Sequence, residues 1–148
     1  MGGHLAVVDL LLRQNAPVNC KDNHGNTPLW YSTSSYHDDV TERLLTENDV
    51  DVNTVGGGGR YDEPSTSLHH LARRTDTVVL RWFLARPTLD PSICAGFQSP
   101  LRLGITEGNI AVVRLLLTHK ELEMNARYTL GDSPLCLATE RGDVDAVK

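Results

Sequence analysis

The chain has 148 residues, 40% apolar and 22% charged, with a net charge of −5. The size suits one domain of ordinary soluble composition. The acidic balance argues against a nucleic-acid footprint, which needs a basic stripe, and no apolar run approaches the roughly 20 residues of a membrane span.

The chain opens on a helical stretch, Gly3–Leu12, with Val7, Val8, Leu11 and Leu12 at helical spacing. Met1-Gly2-Gly3-His4 has no basic leader region, so no signal peptide is expected. Turn chemistry follows at Asn23-His24-Gly25-Asn26. Thr27-Pro28 reads as a helix start: the hydroxyl can cap an orphan N–H, and proline at the first position loses nothing. Val40, Leu44 and Leu45 hold a second helix, and Val50-Asp51-Val52-Asn53 ends the unit.

The order then recurs. Thr66-Ser67-Leu68-His69 precedes Val78-Val79, Trp82-Phe83 and Leu89-Asp90-Pro91-Ser92. Here Val78, Val79, Trp82 and Phe83 read as the buried stripe. Ser99-Pro100-Leu101 precedes Gly108-Asn109 and Val112 to Leu117, and Ser133-Pro134-Leu135 precedes Gly142-Asp143. Pro100 to Pro134 is 34 residues, Ser67 to Pro100 is 33 and Asn19 to Asn53 is 34. A fixed period in this range marks a stacked repeat array. Asn53 to Ser92 is longer, 39 residues, which puts an insertion in Thr54–Ser65. Its run Gly56–Gly59 predicts a flexible, solvated loop that replaces or lengthens a turn.

This pattern resembles the ankyrin repeat, with its turn, Thr-Pro-Leu-His helix start, Gly-His before a second helix, and Asp-Val-Asn-like ending. Only His69 keeps the family's first-helix histidine; Trp30, Arg102 and Cys136 stand at the other three positions. The resemblance implies an all-α solenoid of stacked helix-turn-helix units with short β-turn or hairpin fingers. Its divisions are a partial repeat at 1–21, then repeats at about 22–53, 54–93, 94–126 and a truncated one at 127–148. First helices are expected near 28–35, 67–74, 100–107 and 134–141. Second helices are expected near 4–13, 38–46, 76–85, 109–118 and from about 143. Both ends fall inside repeats, so a segment of a longer array, marginal in stability by itself or self-associating, is expected.

The resemblance also implies a non-catalytic scaffold that binds another protein on its turn tips and concave first-helix side. Carried over residue by residue, the tips are Asn23, His24 and Asn26, then Asp62, Glu63 and Ser65, then Gln98, then Thr129 and Asp132. The helix positions are Ser34 and Ser35, Arg73 and Arg74, Thr106 and Glu107, and Glu140 and Arg141. The alternative is a regulatory or targeting segment of a larger enzyme or receptor.

Other chemistry finds little support. His69-His70 are adjacent and so do not share a helix face, and no third metal ligand lies at helical spacing. Cys20 and His24 lack a second ligand pair, and Gly56–Gly59 lacks the Gly-Lys-Ser/Thr ending of a phosphate loop. Ser34, Ser35, His37 and Asp38 read as helix-end capping, not a triad. No cofactor or metal is expected. Three well-separated cysteines, Cys20, Cys94 and Cys136, fit reduced thiols in the cytoplasm or nucleus.

Overall fold

The computed structural model describes residues 4–57, 63–123 and 133–141. Its helices are α1 (Leu5–Arg13), α2 (Pro28–Ser34), α3 (Asp38–Leu45), α4 (Ser67–Ala72), α5 (Val78–Leu84), α6 (Pro100–Thr106), α7 (Ile110–Leu116) and α8 (Pro134–Glu140). The expected helix from about 143 and residues 58–62 of the inserted loop, which include the last two glycines of its run, lie outside the described residues.

Side-chain caps start the inner helices. Thr27 Oγ1 accepts from Trp30 N, Ser99 Oγ from Arg102 N and Ser133 Oγ from Cys136 N, each with proline at the next position. Within units α2 packs on α3, α4 on α5 and α6 on α7. Between units the inner helices pack in the order α2, α4, α6, α8, and the outer ones in the order α1, α3, α5, α7. The result is an all-α ankyrin solenoid, in which each unit buries its apolar face against its neighbours. No described helix is long and apolar enough to cross a membrane.

One core runs through the stack, with Leu29, Leu44, Leu68, Leu71, Leu80, Phe83, Val112 and Leu116 almost wholly buried. In α5 the buried stripe is Val79, Leu80 and Phe83, while Val78 is 51% exposed and Trp82 only partly buried. The expected stripe is corrected by one position. Val78 opens the helix and turns outward, and Leu80 takes its place in the core. In α1, Leu5, Val8 and Leu12 pack against the core, while Val7, Leu10 and Leu11 are more than half exposed.

The sequence period has a direct hydrogen-bond origin on the outer-loop side. Asn19 Nδ2 donates to the Asp49 carbonyl and its Oδ1 accepts from Asp51 N. One unit later Asn53 repeats this, donating to the Thr88 carbonyl at 2.7 Å and accepting from Asp90 N at 2.9 Å. Ser92 holds the next position with a single hydroxyl, which accepts from Glu123 N at 2.9 Å and donates to the Glu121 carbonyl at 3.4 Å. A short amide or hydroxyl there thus satisfies the backbone of the following loop.

The inserted loop is a lengthened finger. At its base Gly56 and Ser65 pair as an antiparallel bridge, with N···O distances of 2.9 and 2.8 Å. The next finger closes in a tight turn through the Ala95–Gln98 bridge. Gly56 is not a solvated linker residue, because it is buried against the preceding unit. A Cβ there would stand 2.5 Å from Asn26 Oδ1 and 3.0 Å from Trp30 Cδ1. Gly56→Ala is therefore expected to cost about 1–3 kcal/mol, the usual penalty of overpacking. Urea unfolding curves that coincide with wild type would show the finger base to be loose.

Candidate functional site

The inner helices and their fingers form one side of the stack. Its chemistry starts with the side chains that join each inner helix to the next finger. His69 Nδ1 accepts from Thr66 N at 3.1 Å, which leaves the ring proton on Nε2. Nε2 then donates to the Gln98 carbonyl at 3.0 Å. One unit earlier Trp30, which replaces the expected histidine, makes the same connection: its indole N–H donates to the Ser65 carbonyl at 3.1 Å and to Ser65 Oγ at 3.2 Å. The departure from the family residue keeps the donor and changes only the ring.

His70 completes this layer. The Thr33 hydroxyl lies within donating distance of the Leu29 and Trp30 carbonyls, so Thr33 Oγ1 accepts from His70 Nδ1–H at 3.1 Å. Ser65 Oγ, already accepting from Trp30, donates to His70 Nε2 at 3.0 Å. The ring is neutral and stands edge-on to Trp30, with centroids 4.7 Å apart.

Burial pushes the His70 pKa down to about 4, helped by repulsion from His69, once that ring is protonated, and from Arg73. Burial also lowers His69, partly opposed by its bond to the Gln98 carbonyl. A depressed histidine pKa means that the unfolded chain binds more protons between about 6.5 and 4. The stabilisation is complete above the unfolded value and is lost as pH falls toward about 4. Between pH 7 and pH 5 the fold should lose roughly 2 kcal/mol through His70 alone. Thermal melts at the two pH values check this, with His70→Asn expected to flatten the dependence; an equal dependence in that variant would exclude His70 as its source.

The expected contact residues divide into two groups. Asn23, His24, Ser35, Glu63, Arg73, Glu107, Glu140 and Arg141 are exposed, and Ser34, Gln98 and Thr106 are half-buried. Three others are corrected, because they are buried and committed to the fold. Asn26 accepts from Gly57 N at 2.6 Å and donates to Asp22. Ser65 carries the finger bridge and the Trp30 bond. Arg74, 6% exposed, makes a two-pronged ion pair with Asp38 at 2.7 and 2.6 Å and lies 4.8 Å from the centre of the Tyr36 ring. Asp62, Thr129 and Asp132 lie outside the described residues.

Two clefts open on this side. The larger, about 350 Å³, lies among Trp30, Pro64, His70, Arg73, Gln98 and Leu103, and Glu63 also lines it. The smaller, about 160 Å³, lies among Thr33, Ser34, Tyr36, His70 and Arg73. His70 and Arg73 border both, so the two clefts are neighbours. In the larger one, Gln98 Oε1 is buried without a hydrogen-bond partner among the described residues.

Tyr36 was not among the expected contacts. It follows α2 with φ at +60°, in the closing geometry where His37 N bonds back to the Ser32 carbonyl. Gly108 occupies the same position after α6 with φ at +65°, and Asn109 N bonds to the Gly104 carbonyl. A side chain in this conformation costs roughly 1–2 kcal/mol. The tyrosine is nevertheless 64% exposed. The sequence carried a signal, since Tyr36-His37 stands where the period calls for Gly-His.

Residues 1–56 match a family model described as ankyrin repeats (3 copies). A curated relative, named as an ankyrin repeat protein of Fowlpox virus (strain NVSL), is 36% identical over 63 residues, or 43% of this chain. The match spans only 12% of that relative's own length. With the stacked helix pairs and the histidine-to-finger bonds, these similarities support an ankyrin-repeat protein.

Proposed function

We propose that the chain is a protein-binding module that holds a segment of another protein on its finger tips and inner-helix side, with no chemistry of its own. Ankyrin repeats are generally protein–protein interaction modules, typically without enzymatic activity. The observation that carries the reading is the division of labour among the inner-side polar residues. Arg74, Asn26 and Ser65 are consumed by the fold, whereas Ser35, Glu63, Arg73, Glu107 and Glu140 are exposed and make no side-chain hydrogen bond among the described residues. A preformed surface of this kind binds by shape and polar complementarity, without an ordering cost of its own.

The module would act in the cytoplasm or nucleus, where the exposed thiols of Cys20, Cys94 and Cys136 stay free. Affinity capture from cells, followed by titration of each captured protein against the purified chain, tests the reading. A saturable complex weakened by Arg73→Glu or Glu107→Lys is expected. If no captured protein forms a saturable complex, the reading fails.

A further inference from the structure

Resting on that reading, we propose that the two neighbouring clefts between Tyr36 and Gln98, with Arg73 on the border they share, receive an extended segment of a partner protein through a single acidic side chain, whose carboxylate pairs with Arg73. Four observations meet there. The Arg73 guanidinium is exposed, borders both clefts and has no ion pair among the described residues, whereas Arg74 beside it is already paired with Asp38. Gln98 Oε1 is a buried acceptor lacking a donor on the wall of the same cleft, suited to a backbone N–H of an extended chain. Trp30 and Leu103 give that cleft apolar surface for the stem of a Glu or Asp side chain. At the other end stands Tyr36, an exposed aromatic kept in a backbone conformation that favours glycine. Such strain points to a role beyond folding.

Charge sets the chemistry of the occupant. Glu63 also lines the cleft, so a run of acidic residues is opposed and one carboxylate placed on Arg73 is favoured. A planar guanidinium can take a carboxylate through two parallel hydrogen bonds, which a neutral amide cannot match.

The test uses the full chain and an array of synthetic nonapeptides, randomised except for a fixed central Glu, Gln or Lys. Glu-centred peptides should be captured about tenfold more strongly than Gln-centred ones, the usual margin of one charge-assisted pair. Arg73→Gln should erase the preference without lowering the melting temperature, because the Arg73 side chain is exposed and makes no hydrogen bond or ion pair among the described residues. Glu63→Gln should strengthen capture of Glu-centred peptides. Tyr36→Gly is the discriminating variant. It relieves the backbone but removes the ring beside Arg74, opposing effects of similar size that should leave the melting temperature little changed, yet capture should weaken several-fold. Equal capture of Glu- and Gln-centred peptides, or a preference that survives Arg73→Gln, overturns the inference and leaves protein binding itself standing. Failure to capture any peptide also overturns it, and protein binding is then judged by the complexes titrated from cells.

Discussion

Phe83→Ala is expected to remove about 3–5 kcal/mol of folding stability, the range for a large side chain deleted from a packed core. Phe83 is fully buried in α5, which packs on α3, α4 and α7. The hole would therefore open in the core that the stacked units share. Natural domains hold only about 5–15 kcal/mol in total, so a sizeable fraction of the variant should be unfolded near physiological temperature. Leu116→Ala, equally buried in α7, belongs to the same class at roughly 2–5 kcal/mol. Val78→Ala is the control. Its side chain is half exposed at the start of α5, and its loss should change stability by less than about 0.5 kcal/mol. Urea titrations of the three variants decide the matter. Similar losses for Val78 and Phe83 would place the α5 stripe one position back from where it is described.

The second large effect concerns Asp38 and Arg74, and it is unequal by direction. Arg74 is 6% exposed, whereas the Asp38 side chain is 36% exposed. Asp38→Ala strands a buried guanidinium and should cost about 3 kcal/mol, near the lower end for a broken buried pair. Arg74→Ala leaves a carboxylate that water can reach, so the electrostatic part of its cost is smaller. It adds instead the loss of the contact with Tyr36 and of the alkyl stem's packing. A double-mutant cycle separates these contributions. A coupling energy below about 0.5 kcal/mol would mean that the pair is no stronger than an exposed one.

The sequence discloses well what depends on near neighbours. Thr27-Pro28, Ser99-Pro100 and Ser133-Pro134 announce helix starts because the cap, the proline and the orphan N–H groups lie within a few residues. All three caps form as local chemistry requires. Exposure is harder to read when the partner comes from another unit. Arg74 has the composition of a surface residue, yet Asp38 holds it from 36 positions away. Asn26 reads as turn chemistry, but its Oδ1 takes Gly57 N from 31 positions away. Ser65 falls in an insertion that breaks the period, so no register assigned it to the finger bridge. Trp30 looks like a lost family residue until the distance from its indole nitrogen to the Ser65 carbonyl shows the role retained. The site is partly legible for the same reason: Arg73 keeps its expected exposure, while the value of Tyr36 appears only with its backbone angle.

Arg74 also joins more than two units. Its guanidinium holds Asp38 at the start of α3, and its own carbonyl accepts from Asn109 Nδ2 at 2.6 Å, at the start of α7. Stacked arrays couple mainly through adjacent interfaces and can therefore come apart one unit at a time. A single residue tied to the units on both sides works against such piecemeal release. Pulled from its two ends, the stack should resist through this central residue, and the three units it fastens should give way in one rupture rather than in a staircase of small ones.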